Sequence, residues 1–552
     1  MPDLAVIYIQ FDAYLSIIQF IIFLALFFLW LVLLNWVYAD AIAVETKEAF
    51  WTGIVFGAGA ASAIIWLVLP ARFSIIGMVL YPIAVGVAFL AYAKHRNTRV
   101  LDVDRILTIQ HFKGMLAGKD KKLAGHESFI FITANNNEVP PPQPKTAEFF
   151  GYRAAYEMLN DAIWRRASSI TLLPGPQNYK VTYFIDGTAL EQPTIAKDQT
   201  EYLTRFLKHL ADLDINEKRK PQKGKFRTSQ NKENTDWEVT TAGSTAGEQV
   251  KVKQILEEHL ARLPEIGLTA NQYEQINKLR EAKQGLFIIS GPEKSGVTTT
   301  FYALLRNHDA FLNSINTLEK KPSTELPNIT QNVFSLSDTG TTTYAKKLQE
   351  VVRMGPDIVG VADCDDAESA RVACAAATDG KIIYIVLKAD SVVQALGKWM
   401  KLVGDRNLIA ETIIGISNQR LLRKLCEQCK QEYAPDKELL RKFNLPAEKA
   451  KTLYRPGKVI YDKRGKPRTC EKCQETGFVG RTGVFETIII NDELRNIIKS
   501  AKSLSDIGTQ FRRAKMIYLQ EQILRKVVAG ATSVNEMVKA LSASKEKKMK
   551  QK

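Results

Sequence analysis

The sequence predicts an α/β protein: a P-loop core, a smaller α+β domain before it, a cysteine-rich subdomain after it, and an N-terminal transmembrane helical region. Three observations predict this. In GLFIISGPEKSGVTTT an apolar strand run, 286–289, enters a glycine-bounded loop, and a helical pattern follows through Phe301, Leu304 and Leu305. Cys426, Cys429, Cys470 and Cys473 form two C-x-x-C pairs. Three long apolar runs lie within residues 1–96.

At 552 residues the chain exceeds one core, and domain sizes suggest about three or four units. Hydrophobic content of 46% and charged content of 24% are those of folded protein. The net charge of +16 suits phosphates, an anionic membrane face or nucleic acid. No stacking aromatics are interleaved with the basic residues and no finger or RNP motif occurs, so the sequence predicts no nucleic-acid partner. Six cysteines are too few for a disulfide scaffold, and paired spacing points to metal in a reducing compartment.

The first apolar run, 17–34, has Trp30, Trp36 and Tyr38 at its far end; the second and third, 53–69 and 73–92, are separated by Pro70, Ala71 and Arg72. Each is long enough to cross most of a hydrocarbon core of about 30 Å. A cleaved signal peptide is excluded by the length of the first run, its lack of a basic flank and the two runs after it. A buried core bundle is the weaker alternative, because nothing polar lines one face. Lys94, Arg96, Arg99 and Arg105 follow the third run while Asp3 and Asp12 precede the first, which places the remaining chain in the cytoplasm and the N-terminus outside. Residues 97–145 read as an adaptor that ends in a proline-stiffened linker, NNNEVPPPQP.

Residues 146–255 read as a small α+β domain: Phe149 to Ile163 and Tyr202 to Leu213 have helical spacing, and runs at 170–173, 181–185 and 237–239 alternate as strands do. Residues 263–415 hold the P-loop. In the motif G-x-x-x-x-G-K-[ST] backbone N–H groups cradle phosphates, the lysine reaches the outer phosphates and the hydroxyl holds Mg²⁺. Gly291, Lys294, Ser295, Gly296, Thr298 and Thr299 are the candidate nucleotide-binding residues, and Val297 stands at the lysine position. Asp357 opens a second apolar strand, 358–361, and is the candidate metal-facing carboxylate. The glycine-rich turn has two open readings: a weak nucleotide cradle, or a turn that serves only strand-to-helix packing.

Residues 416–541 carry the cysteines and a helical end, and 542–552 is a lysine-rich tail expected to lack order or to touch anionic lipid. Two C-x-x-C knuckles with 40 residues between them supply four thiolates to a tetrahedral Zn²⁺. A redox dithiol or unliganded structural cysteines explain the matched pairs less well. Cys364 and Cys374 sit singly in apolar surroundings and read as core.

The segments RRASSITLLPGPQNYKVTYFIDG and LADLDINEKRKPQKGKF, the P-loop, the paired cysteines and GRTGVFE together resemble the type II secretion and type IV pilus assembly ATPases. The resemblance implies a RecA-like core, a ring hexamer, ATP with Mg²⁺, and platform proteins of a bacterial inner membrane as partners. It also assigns phosphate contacts to Arg219 and Lys225, with Glu238 in the place of a third cation. Glu319 keeps its place in the acidic box, Lys320 replaces an aspartate, and Ser323 replaces the glutamate that would activate water. Asp363 stands for a glutamate, Asp365 for an arginine, Ser169 and Thr171 for an aspartate and a histidine, and Lys381 and Lys388 for two histidines. Glu319 and Asp363 are the residual catalytic candidates. Phosphoryl transfer depends on positioning and charge stabilisation, and losing one cationic finger alone costs about 10³–10⁵ in rate.

The expectation is a multi-pass subunit whose main domains are cytoplasmic, nucleotide-binding but with impaired or no hydrolysis, acting as scaffold or regulator of an ATPase ring. Two alternatives stand beside it: an active ATP-driven motor that uses Lys294, and a nucleotide-independent membrane assembly protein.

Overall fold

The structure is a computed structural model that describes residues 17–69, 73–100, 105–108, 129–143, 146–231, 233–255, 260–335, 343–443, 445, 450–457, 460–461, 467–468 and 470–549. It divides into two compact units, 1–256 and 257–552. Asp3, Asp12 and most of the expected adaptor fall outside the described residues.

The first unit begins with three helices, α1 (Ile17–Ala43), α2 (Glu48–Val68) and α3 (Ser74–Arg99), with mean hydropathies of 2.7, 1.7 and 2.2 over their most apolar stretches. All three are long and apolar enough to cross a membrane. Phe28, Leu29, Ile64 and Ile83 are more than half exposed, while Trp30, Val55, Trp66, Tyr81 and Tyr92 fill the space between the helices. An outward face this apolar suits lipid and not water. α1 and α3 outrun the predicted spans because their polar ends are paired: Arg96 Nε lies 2.8 Å from the Asp40 carboxylate, which also accepts from Tyr92 Oη at 2.6 Å.

An eight-stranded antiparallel sheet follows. Its elements in chain order are β1 (Phe129–Ile132), β2 (Glu138–Val139), α4 (Ala147–Trp164), β3 (Ala167–Pro174), β4 (Asn178–Ile185), β5 (Thr188–Ala196), α5 (Lys197–Leu210), β6 (Gln222–Gln230), β7 (Glu233–Ser244) and β8 (Gly247–Ile255). The strand order is β2-β1-β6-β7-β8-β3-β4-β5. Helices α4 and α5 cover one face, burying Leu159, Leu207, Leu210, Trp237 and Val252 in one core. The domain therefore starts at Phe129, inside the segment expected to be adaptor and linker. β1 pairs with β6, and Val139, just before the prolines, pairs with Phe131 as part of a short edge strand. Prolines after an edge strand are compatible with a sheet.

This domain also grips the apolar helices. Tyr202 Oη donates to the Val44 carbonyl in the α1–α2 turn, Arg205 pairs with Glu45 at 2.6 Å, and Arg99 at the end of α3 pairs with Asp198 at 3.3 Å. The α1–α2 turn and the exit of α3 thus lie at the same end of the three helices.

The second unit contains α6 (Ala270–Asn277), β9 (Gly285–Gly291), α7 (Val297–Leu305), β10 (Ile315–Glu319), β11 (Thr330–Val333), α8 (Tyr344–Arg353), β12 (Ile358–Val361), α9 (Ala367–Thr378), β13 (Ile382–Lys388), α10 (Val392–Val403), α11 (Arg406–Thr412) and β14 (Ile413–Leu425). After these come β15 (Gln431–Tyr433), α12 (Lys437–Lys442), β16 (Leu453–Arg455), β17 (Ile460–Tyr461), β18 (Pro467–Arg468), β19 (Phe478–Ile489), α13 (Asp492–Ser500), α14 (Leu504–Arg513), α15 (Leu519–Val528) and α16 (Val534–Met549). Helix α16 runs into the lysine-rich tail that was expected to lack order.

The central sheet has the order β11-β10-β12-β13-β9-β14-β19 and is parallel except for β19. Strands β9 and β12 are buried at every residue, which explains their unbroken apolar runs. Helix α7 packs on one face with Phe301, Leu304 and Leu305, and α8, α9 and α10 pack on the other. The cysteine subdomain is not separate from this sheet. β14 pairs with β9 as far as Asn418, then runs beyond it with β19 to Leu425, one residue before Cys426.

Candidate nucleotide edge and cysteine centre

In a parallel α/β sheet ligands bind beyond the carboxyl ends of the strands. Here that edge carries Gly291 ending β9, Lys388 ending β13, Asp363 just past β12, and Glu319 with Lys320 at the end of β10. The loop after β9 keeps the P-loop shape. Lys294 and Gly296 take positive φ of 64° and 84°, and Gly296 caps α7, leaving its first N–H groups directed outward. A Cβ at Gly291 would lie 2.2 Å from Ser295 Oγ and 2.9 Å from Val297 Cγ2, so a larger residue there would displace both side chains. Thr298 and Thr299 are exposed and Ser295 is buried, its hydroxyl without a hydrogen-bond partner among the described residues.

The cation is what the loop lacks. Val297 is half-buried and packs against the core cluster that contains Phe287, Ile289 and Phe301. Lys294 is exposed. Lys388 pairs with Glu293 at 3.3 Å in water, and Lys320 Nζ lies 3.5 Å from Asp365. Asp363 accepts from the Lys320 backbone N–H at 3.0 Å. Lys388 and Lys320 are therefore matched by neighbouring carboxylates, whereas Lys294 has no ion pair among the described residues.

Glu319 is 3% exposed and already occupied. Its carboxylate accepts from Tyr302 Oη at 2.7 Å, Thr317 Oγ1 at 2.8 Å and Gln331 Nε2 at 3.3 Å. Burial pushes the Tyr302 phenol up to about 12, so it stays a donor at any working pH. The same hydroxyl accepts from the Ser323 N–H at 3.1 Å, which ties the acidic-box substitution into this closed network.

Asp357 departs from the sequence expectation. It lies at the amino end of β12 beside Ser314, whose N–H it accepts at 2.8 Å, at the edge of the sheet opposite Gly291. A carboxylate that opens a parallel strand cannot face a ligand at the carboxyl ends. Lys381 shares that far edge, donating to the Pro356 carbonyl. Arg219 and Lys225 belong to the first unit. Both are exposed, and Lys225 stands opposite Glu238, which Lys223 holds at 2.9 Å.

The ribbon of β14 and β19 supplies residues that motif reading missed. Gln419 Nε2 donates to the Ser295 carbonyl at 2.9 Å, and a Cβ at Gly296 would meet Leu421 at 3.2 Å, so this ribbon braces the loop from behind. On its other face Arg420 donates to the carboxylate of Asp390 at 3.1 Å, and Glu486 is 2% exposed. Burial pushes the Glu486 carboxyl up to about 7, opposed by the Val392 N–H and the Arg420 charge. A local signal was available: the polar run Ser417 to Arg420 interrupts the apolar stretch of β14 between Ile416 and Leu421.

Beyond the ribbon, the sulfurs of Cys426, Cys429, Cys470 and Cys473 lie within 4.8 Å of one another. Cys426 and Cys470 are 3.8 Å apart and Cys429 and Cys473 are 3.5 Å apart. A tetrahedral ion with metal–sulfur bonds of about 2.3 Å needs sulfur–sulfur edges of about 3.8 Å, so the set fits. Each knuckle is a tight turn: the Lys430 N–H returns to the Cys426 carbonyl at 2.9 Å, and that of Gln474 to Cys470 at 2.8 Å. Cys364 and Cys374 are buried in the core, and burial raises the Cys374 thiol to about 11.

The chain is similar in sequence to known proteins. The type IV pilus assembly ATPase PilB of Thermus thermophilus is 28% identical over 402 residues, which span 73% of this chain and 44% of that protein. The type II secretion system protein E of Dickeya dadantii is 30% identical over 384 residues, covering 69% of this chain and 74% of its own. Among solved structures, the Legionella pneumophila ATPase DotB aligns over 70% of this chain and 94% of its own, at 15% identity and a TM-score of 0.48. A sequence profile described as type II/IV secretion system protein matches residues 150–539, and the chain belongs to that family.

Proposed function

We propose that this chain is a membrane-anchored subunit of a type II secretion or type IV pilus assembly machine in the bacterial inner membrane, and that it cradles nucleotide without turning it over. Its three apolar helices would hold the main domains on the cytoplasmic face. Its partners would be inner-membrane platform proteins and copies of itself or of an active relative in a hexameric ring, which it scaffolds or regulates.

The observation that carries this reading is the fate of the P-loop lysine position. Val297 is half-buried against the core under α7, and the glycine-capped start of that helix would offer the N–H groups around Gly291, Ser295, Gly296, Thr298 and Thr299 as a cradle. An anion can be held by such a nest and helix terminus. Charge migrating to a leaving phosphate would meet no cation from position 297, and no base from Ser323 or from the occupied Glu319. Mg²⁺, if bound with nucleotide, would have the Thr298 hydroxyl as its protein partner. The four cysteines would hold a structural Zn²⁺, whose contribution is folding free energy and no chemical step.

The test is ATP and ADP binding, with phosphate release, on the full chain in detergent beside Val297→Lys. Micromolar binding without turnover by the native chain, with tighter binding by Val297→Lys, supports the proposal. Turnover by the native chain overturns it in favour of an active motor. Absence of binding in both leaves a nucleotide-independent assembly protein.

A further inference from the structure

Two large apolar side chains stand almost bare on the second unit. Phe311 is 88% exposed and Leu312 82%, more than any apolar residue of the three N-terminal helices. They lie in the turn between α7 and β10, and that turn is rigid. Asp309 Oδ1 accepts from the Phe311 N–H at 2.9 Å, and the Asp309 carbonyl accepts from the N–H of Leu312 at 3.2 Å and of Asn313 at 2.9 Å. The Asn313 side-chain amide adds a further bond to the same carbonyl at 2.9 Å. A fixed turn that projects Phe and Leu into water loses little freedom on docking, which favours a binding tip over a stray surface residue.

A complementary cavity exists on the same unit. A pocket of about 380 Å³ lies between the ends of α8 and α9, floored by Val352, Val372, Ala375 and Ala376. Its volume is near the small end of the about 300–1,000 Å³ usual for binding pockets. Arg353 is on its rim, with no ion pair among the described residues, and Met354 next to it is 60% exposed. Asp309 beside the tip is exposed and acidic, opposite in charge to Arg353. Asp379 on the same rim opposes that attraction, so the balance between them is itself testable.

The positions of tip and pocket decide the occupant. α7 packs on one face of the central sheet and α8 with α9 on the other, and both features lie toward the edge where β10, β12 and β13 begin. One molecule cannot reach its own pocket with its own tip across the sheet. A second copy can. We propose that Phe311 and Leu312 of one copy insert into the α8–α9 pocket of the next, with Asp309 against Arg353, as a head-to-tail contact. Such a heterologous contact propagates into a closed ring or an open filament, depending on the rotation it imposes. The contact rests on the self-assembly part of the proposal above and needs no nucleotide, so an assembled chain indifferent to Phe311→Asp would overturn this contact and leave that proposal standing.

The experiment measures self-association of the full chain in detergent without nucleotide, by light scattering over a concentration series. Phe311→Asp is expected to raise the half-assembly concentration at least tenfold. Asp309→Arg is expected to weaken assembly, and Arg353→Asp in the same chain to restore it. Phe311→p-benzoylphenylalanine should crosslink, on irradiation, to residues 349–379 of a differently labelled copy. Because Phe311 is exposed, unfolding is not expected, and circular dichroism checks it. A chain that stays monomeric, assembly indifferent to Phe311→Asp, a charge swap without rescue, or a crosslink only to another protein or to detergent would each overturn the proposal.

Discussion

The P-loop, braced by the β14–β19 ribbon, and the cysteine cluster beyond the end of that ribbon have fared differently. At the P-loop the backbone geometry is complete and the reactive side chains are not: Val297 is packed, Glu319 is occupied, and Lys388 and Lys320 face carboxylates. At the cysteines every ligand atom is present at a separation a single ion can span. The two sites answer to different physical demands. A structural ion stabilises the folded state directly, whereas a transition-state cation contributes nothing to folding and can be lost at no structural cost. β14 links them, since Gln419 and Leu421 support the loop and Cys426 follows at the end of the same strand.

The largest expected effect sharpens the cysteine side. Cys473→Ser removes one ligand from the cluster and should destabilise the second unit by on the order of 5 kcal/mol, a fraction of the about 10–16 kcal/mol that structural zinc supplies elsewhere. Chemical denaturation of the full chain, with metal content by elemental analysis, reads it. Loss of stability without loss of metal, or a change below about 1 kcal/mol, would break the contrast between the two sites.

Next in size is Glu319. If it is a structural hub, Glu319→Ala strands Tyr302 Oη, Thr317 Oγ1 and Gln331 Nε2 and costs about 3 kcal/mol. A catalytic Glu319 would behave differently: Glu319→Gln would abolish Mg²⁺-dependent phosphate release and leave the melting temperature unchanged.

Much of this architecture was legible in the sequence, and the failures have physical causes. β9, α7 and the cysteine pairs follow from strict local signals, namely an apolar run, a glycine loop and a repeated spacing. Asp357 was misplaced because an acidic residue beside an apolar strand does not reveal which end of a parallel strand faces the ligand; only register against β9 and β13 does. The β1–β2 hairpin was hidden because its partner β6 lies about ninety residues downstream, and local composition near prolines says nothing of such pairing. Glu486 escaped for the same reason, since β14 and β19 meet only through the fold.

Glu486 offers a pH test of the ribbon. Its folded carboxyl lies near 7, above the ordinary value of 4.5, so the folded chain binds more protons than the unfolded chain between those values. Stability must therefore fall as pH rises from about 4.5 to about 7 and level off above, with a span of at most about 3 kcal/mol. The Val392 N–H and the Arg420 charge oppose the rise, and the value near 7 is what remains after both. Glu486→Gln should flatten the profile and raise stability at pH 8. An unchanged slope between pH 5 and 7 in chemical denaturation would show that the carboxyl is ionised in the fold throughout.

The smallest expected effect separates the two readings of the P-loop most cleanly. Lys294 is exposed, holds a positive φ of 64°, and has no ion pair among the described residues. Its conformation is one that glycine adopts more readily, so Lys294→Gly should be neutral or stabilising by about 0.5–1 kcal/mol. Lys294→Ala should change stability by less than about 0.5 kcal/mol, as exposed substitutions usually do. Neither should alter phosphate release, because the backbone nest and not this side chain holds the anion. If instead Lys294→Ala removes turnover while ADP binding persists, the ammonium has swung in to replace the cation missing at Val297. The P-loop would then join the cysteine centre as a site whose chemistry was kept.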